Sequence, residues 1–454
     1  MTIVMKFGGT SIADANCVRQ VAGLIAERID AGPLVVLSAM GKTTDALFEA
    51  AELAQNGNLD AALDIAATLR GQHEDTAQEL FDTSTPAELS AMIEELFGRT
   101  EVLLRGVAIL RELSPRSLDA ISSQGELLAT QMLTQFLGAQ GHKAEWFDAR
   151  EALRTDRRFG QARPDLAYLQ ERAKEQLAPR LSGGTAVITQ GYIGATEEGL
   201  TTTLGRGGSD YSAALFGAAL GAIEVQIWTD VEGVMTCDPR VVPTAQPIER
   251  IGFVEAAELA AFGARVLHPA TIQPAVEADV PVTVRHTFRP DGRFTTITQA
   301  PSDGRMVTAL AARGPITVLT VTSSRMLEQS GYLARLFEIF GRLDVSVDLV
   351  ATAEVSVSLS VDADVHLDPL LEELSSIATV DVARDRAIVS VIGERLKTRP
   401  RMPARIFATL EDLEVEMISL GANEINLSMV VKHADADEVL RRLHRGLIET
   451  RSEP

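Results

Sequence analysis

The chain carries an internal duplication near its C-terminus, and a duplication constrains the fold before any single motif is weighed. Residues 333–361 align without gaps on residues 403–431, an offset of 70. Ala334, Arg335, Phe337, Leu343, Val345, Glu354, Ser358 and Val361 face identical residues, and the apolar positions between them match in kind. Each copy reads strand, helix, strand, strand, helix, strand. In the first copy the expected elements are 316–321, 331–342, 345–350, 354–361, 367–376 and 379–382. That is the βαββαβ pattern of a small ferredoxin-like module, so two such modules in tandem are expected.

Upstream, strand signals at 2–7, 34–37, 185–190, 223–229 and 280–285 alternate with helical stretches. The helical stretches run from Thr10 to residue 29 and over 45–113, 209–221 and 254–262. Alternation of this kind builds a layered α/β domain around a mostly parallel sheet. Residues 287–305 are rich in breakers and read as an edge hairpin followed by a linker. With 454 residues the chain exceeds one core. The expected division is 1–300, 301–385 and 386–454.

The net charge, 42 − 63 = −21, argues against a nucleic-acid partner, which needs a basic face. It leaves a nucleotide open, because a nest of backbone N–H groups, a few cations and magnesium suffice for phosphates. Two cysteines, Cys17 and Cys237, make no disulfide framework and suit a reducing compartment. No basic start precedes an apolar run, and no apolar run nears the ~20 residues that span a bilayer. A cytoplasmic protein without a membrane partner is expected.

Two glycine-rich segments carry the candidate chemistry. In Lys6-Phe7-Gly8-Gly9-Thr10-Ser11, two glycines between a strand and a helix let backbone approach an anion, and Lys6 adds a full charge. In Thr201-Thr202-Thr203-Leu204-Gly205-Arg206-Gly207-Gly208-Ser209-Asp210, three glycines surround an arginine whose fork matches a carboxylate or phosphate. Asp210 on the first helical turn also suits the helix dipole. Gly41-Lys42-Thr43 is not a P-loop, since Val36 stands where the first Walker glycine belongs. Thr43 and Thr44 read either as a substrate contact or as a helix cap. Glu126, in Ser122-Ser123-Gln124-Gly125-Glu126, is a capping carboxylate or a partner for an amine. Thr229 and Asp230 run off a strand end, where α/β sheets bind ligands, with Asp238-Pro239-Arg240 close behind. The seven histidines are scattered, His268 among them, and no Cys/His spacing suits a metal, so no protein-held metal is expected.

Together KFGGTS (6–11), SSQGE (122–126), TTTLGRGGSDYSAAL (201–215), WTDVEGV (228–234), DPR (238–240) and FGARVLHPAT (262–271) resemble the aspartokinases. The resemblance implies an amino-acid-kinase fold, a mostly parallel sheet sandwiched by helices, followed by two ferredoxin-like ACT modules. It implies transfer of the ATP γ-phosphoryl group, with Mg2+, to the β-carboxylate of L-aspartate. Lys6 and Asp210 then look catalytic, and Thr44, Glu126, Arg206 and Ser209 look like aspartate contacts. Lys6, Phe7, Gly8, Gly9, Thr229, Asp230, Met235, Arg240, Arg265 and Val266 look like ATP contacts. Met235 departs from an aromatic common in the lysine-sensitive type, and Arg265 from a common lysine. The segment 346–358 resembles the lysine-effector site of the monofunctional type. Met326, Gly331, Tyr332, Leu333, Ser346, Val347, Asp348 and Glu354 are the implied effector contacts. The second copy has Glu416 and Ile418 in place of Ser346 and Asp348, so only the first copy keeps this pattern. The resemblance also implies a homodimer or homotetramer joined through ACT modules. Rival readings are another carboxylate kinase, such as a glutamate kinase, and a silent amino-acid sensor.

Overall fold

The structure, a computed structural model, describes residues 2–82, 84–263, 268–300, 305–327, 330–421 and 423–449. The chain forms two compact units, Met1–Val234 with Val266–Gln299, and Met235–Arg265 with Ala300–Pro454.

Strands β1 (Ile3–Phe7), β2 (Leu34–Leu37), β3 (Ala144–Phe147), β4 (Ala186–Gln190), β5 (Ile193–Ala195), β6 (Thr201–Thr203) and β7 (Glu224–Thr229) belong to the first unit. After β8 (Arg250–Gly252), which lies in the second unit, β9 (Val282–His286) and β10 (Thr295–Thr298) complete the first. The main sheet of the first unit runs β3-β4-β2-β1-β7-β9-β10. Every pair from β3 to β9 is parallel, and β10 returns antiparallel on β9 as the expected hairpin. β2 and β4 are buried along their whole length, which is why they read as uninterrupted apolar runs. The expected helical stretch 45–113 resolves into Thr43–Gln55, Leu59–Leu80 and Ala87–Leu110, whose Leu47, Ala66 and Phe97 join the core beneath the sheet. The helix Gly208–Leu220 lies close on the sheet because Gly217 has no Cβ to meet Val225.

One expectation fails early in the chain. Thr10 and Ser11 do not open the first α-helix; Gly9–Ile12 forms a single 3-10 turn, and the helix is Ala15–Ala26. Asp14 caps it by accepting from Cys17 N at 2.9 Å, a better cap than either hydroxyl upstream.

The second unit continues with β11 (Ala309–Thr322), β12 (Val350–Thr352), β13 (Ser356–Asp362), β14 (Thr379–Ile392), β15 (Met417–Leu420) and β16 (Asn426–Lys432). They form one antiparallel sheet, β12-β13-β11-β14-β16-β15. The first copy has its expected helices at Tyr332–Arg342 and Leu367–Ser375. Its second strand, Val350–Thr352, shares only residue 350 with the expected 345–350; just before it Leu349 N donates to the Ser360 side chain in place of a carbonyl. The second copy departs further. No strand follows its last helix within the described residues; Arg445–Glu449 is helical. Its fourth strand is supplied by residues 309–313 of β11, paired with 388–392 of β14. β11 and β14 are each 14 residues long and serve both modules. Register shifts between Arg313 and Val318 mark the passage from one module to the other. The first module is therefore inserted into the second.

Residues 235–265 also depart from the expected division at 300, since they join the tail unit. Cys237 and Val242 bury in one core with Val389, Leu427 and Leu443. Thr236 Oγ1 lies 3.0 Å from His444 Nε2, and both residues are buried.

Candidate active site

Parallel strands in register deliver their C-terminal loops to one edge of the sheet. Phe7 pairs with Leu37 and Trp228, and Leu37 with Gln190. The loops that follow are stitched by backbone hydrogen bonds. Ser38 N donates to Phe7 O at 3.1 Å, Gly191 N to Leu37 O at 2.8 Å and Gly41 N to Gly9 O at 3.0 Å. A Cβ on Gly9 would collide with Gly41 O and lie 2.9 Å from Ala39 O. A Cβ on Gly191 would lie 2.6 Å from Ser209 Cβ. These glycines are contact points between loops, which is why the crevice needs them.

At the end of β1, Lys6 Nζ reaches Asp210 Oδ1 at 2.7 Å, with the two side chains 12% and 17% exposed. The same ammonium lies near Gly8, where a Cβ would sit 3.4 Å from Nζ. Asp210 stands in the first turn of helix Gly208–Leu220, so the free N–H groups and partial positive charge beside Lys6 belong to that helix. The helix begins from Gly207 at φ +73°, and Gly205 stands at φ +81°; the turn that carries Arg206 depends on both. Arg206 is exposed and forms no ion pair with any described residue.

Glu126 is 2% exposed. Its Oε1 accepts from Ala39 N and from Thr44 Oγ1, each at 3.3 Å. Its Oε2 is buried without a partner among the described residues. Burial pushes this carboxyl up to about 7, against the pull of those hydrogen bonds. A Cβ on Gly125 would lie 2.7 Å from Ala39 Cβ, so the helix carrying Glu126 packs directly on the loop after β2.

Lys6, Gly8, Gly9, Thr44, Glu126, Ser209 and Asp210 thus come together around linked loops, with Phe7 buried behind them. Thr229 ends β7, and its hydroxyl donates to Asp230 at 3.1 Å. Met235 and Arg240 fall in the second compact unit. Arg240 is held by Asp238, with Nη2 to Oδ2 at 2.6 Å and Nε to Oδ1 at 3.0 Å. Arg265 and Val266 lie outside the described residues.

The implied effector residues lie in the first module. Asp348 accepts from Arg313 Nη1 at 2.7 Å, and Arg313 Nη2 also reaches Asp362 at 2.6 Å. Met326 and Val347 pack against that module's core, where Tyr332 is buried. Gly331 begins the helix that carries Leu333, whereas Ser346 and Glu354 are exposed. In the second module, Glu416 is taken by Arg386 at 2.7 Å and Ile418 is 47% exposed.

The amino acid kinase family model matches residues 1–286, and an ACT domain model matches residues 389–447. Lysine-sensitive aspartokinase 3 of Escherichia coli is 41% identical over 455 residues, covering 98% of this chain and 99% of that protein. The chain belongs to the aspartokinases. A chloroplastic aspartokinase 3 of Arabidopsis thaliana is 39% identical, covering 99% of this chain and 82% of that protein. Among solved aspartokinases, the E. coli aspartokinase III complex with lysine and aspartate superposes with a TM-score of 0.84 at 40% identity, covering 98% of this chain and 99% of that one. The complex with aspartate and ADP gives a TM-score of 0.81 at 40% identity, covering 98% and 100%.

Sequence reasoning missed two residues that this aspartokinase places at the crevice. Tyr192 holds φ +68° and packs on Gly208, where a Cβ would meet its Cδ2 at 2.8 Å. Asp119 is buried and hydrogen-bonded to the strand that leads into the arginine turn. The only local signal for Asp119 was its place seven residues before Glu126, flanked by Leu118, Ala120 and Ile121 in an otherwise polar stretch.

Proposed function

We propose that this chain binds MgATP and L-aspartate in the crevice at the ends of β1, β2 and β4, and that it makes 4-phospho-L-aspartate there. The observation that carries the site assignment is Glu126, a buried carboxylate with one oxygen unpartnered beside Thr44 and the loop after β2. An unpaired buried carboxylate is costly, and a substrate ammonium supplies the missing partner. Arg206, exposed and without an ion-pair partner among the described residues, then receives the α-carboxylate through its planar fork.

The acceptor carboxylate is ionised at neutral pH, so no general base is needed. Lys6 follows the migrating phosphoryl group and stabilises charge on its oxygens, with the amides of Gly8 and Gly9 beside it. Asp210 holds Lys6 in place before substrate arrives and is the carboxylate available to the metal. Magnesium carried by the nucleotide neutralises phosphate charge when bound. Thr229 and Asp230 would serve the nucleotide from the end of β7.

Lysine is the proposed effector of the first module. One guanidinium, Arg313, faces two carboxylates, Asp348 and Asp362, which leaves negative charge for a cationic ligand. Assembly through the ACT modules is supported by exposed apolar side chains on the sheet's edge strands, Val350 on β12 and Ile418 and Leu420 on β15. No described helix is long and apolar enough to cross a membrane.

The test is ADP release with MgATP and either L-aspartate or L-glutamate, each with and without lysine. Turnover with aspartate, loss of turnover with glutamate and inhibition by lysine are expected. Equal rates with both acids would overturn the substrate assignment.

A further inference from the structure

Asp119 lies on helix Pro115–Ser122, is 2% exposed and forms no ion pair among the described residues. Its Oδ2 accepts from Thr203 N and from Gly160 N, each at 2.9 Å, and its Oδ1 accepts from Thr203 Oγ1 at 2.7 Å. Three donors on one buried carboxylate form a clamp, because removing it strands each of them. The clamped pieces meet at the arginine turn. Thr203 ends β6, three residues before Arg206, and its carbonyl accepts from Ala162 N at 2.9 Å. Gly205 rests on the same loop, since a Cβ there would lie 3.0 Å from Gly160 O. At its other end the Asp119 segment runs through Ser122 into the helix that presents Glu126.

We infer that Asp119 is a positioning residue for aspartate, fixing the arginine turn relative to Glu126 so that the two arms grip one amino acid. The inference rests on the reading of Arg206 and Glu126 as the carboxylate and ammonium arms. Burial raises the Asp119 carboxyl above the ordinary range, opposed by its three hydrogen bonds.

The variants are Asp119→Ala, Asp119→Asn and Thr203→Val, compared with wild type and Arg206→Ala. Asp119→Ala should raise KM for aspartate at least tenfold and leave KM for ATP within twofold. Asp119→Asn, which keeps an acceptor for the two backbone N–H groups, should recover most of the loss. Thr203→Val removes the hydroxyl bond to Asp119, together with the hydroxyl's contact with Tyr192, but keeps both backbone bonds, and should give a smaller rise, about threefold. A second readout needs no activity. Arg206 is exposed, so trypsin can cut after it, and mass spectrometry of the folded proteins follows that cut. Asp119→Ala should accelerate cleavage after Arg206 at least fivefold. Equal rises in both KM values, or no recovery in Asp119→Asn, would overturn the inference, as would an unchanged cleavage rate. If Asp119→Ala does not fold, Thr203→Val decides: a rise confined to KM for aspartate with faster cleavage after Arg206 supports the inference, and equal rises in both KM values or an unchanged cleavage rate overturns it. If Arg206→Ala leaves KM for aspartate intact, the carboxylate-arm reading fails on its own, and the cleavage rates still decide whether Asp119 holds the turn.

Discussion

Lys6 and Asp210 are joined across 204 residues of sequence, with Nζ 2.7 Å from Oδ1 in a site where little of either side chain is exposed. The pairing places a cation at the end of the central strand and keeps it there without ligand. Breaking a partly buried pair leaves the surviving charge uncompensated. Lys6→Ala should therefore lower kcat by about 10²–10³-fold, the scale of losing one preorganised charge at a transition state. Asp210→Asn keeps the lysine and should cost about tenfold, largely in kcat. Stopped-flow or coupled ADP assays at saturating MgATP measure both. Near-normal turnover in Lys6→Ala would remove it from the mechanism.

Glu126 gives the protein a pH signature. Burial raises its carboxyl from an ordinary 4.5 to about 7, so the folded state holds this proton more tightly than the unfolded chain. Its effect is that ligand-free stability falls as pH rises from about 4.5 to 7, and levels off above. Glu126→Gln should be more stable than wild type at pH 8, by on the order of 3 kcal/mol, and equal to it near pH 4. Binding behaves oppositely, because only the ionised form attracts an ammonium. Wild-type kcat/KM for aspartate should fall about tenfold per pH unit below 7, whereas Glu126→Gln should be weak and nearly flat with pH. A variant that binds aspartate normally would exclude the ammonium role.

The two ACT copies make unequal predictions for lysine. In the first, Asp348 is tied to Arg313, which also reaches Asp362; in the second, Glu416 is tied to Arg386. Asp348→Asn removes one negative charge from a site proposed to take a cation, and should weaken lysine inhibition about tenfold or more. Glu416→Gln, at the matching place of the other copy, should leave the lysine response within twofold. Inhibition curves at fixed aspartate distinguish the two. Equal effects would mean that both copies bind effector.

The catalytic α/β layer was legible because its signals are local. Buried parallel strands such as Leu34–Leu37 read as apolar runs, and glycines forced by close loop contacts, such as Gly9 and Gly205, stand out beside Lys6 and Arg206. Partnerships across the chain were not legible. Nothing near Thr10 shows that Asp14 is the better cap until the two compete. Nothing near Cys237 shows that it buries with Leu443. The 70-residue repeat predicts two modules, but equivalence of sequence does not say which segment completes each sheet. Residues 309–313 precede the strand expected at 316–321 and carry no signal of their own, so their pairing with 388–392 is invisible without three dimensions.

That pairing makes the last prediction. Residues 386–449 contain one whole repeat by sequence but lack the strand that borders β14. Left open, the edge at Ile388 and Val391 loses half of its ladder, and Leu310 is missing from a core shared with Val389 and Leu440. A fragment of 386–449 should show no cooperative thermal transition by circular dichroism. Appending residues 305–314 to its C-terminus through a short Gly/Ser linker restores the fourth strand in the order that βαββαβ connectivity requires. The permuted fragment should gain strand signal and a cooperative melt. An Ala311→Pro version should lose both, since proline removes a backbone donor from the strand that pairs at Ser390. Cooperative folding of 386–449 alone would show that the borrowed strand is dispensable.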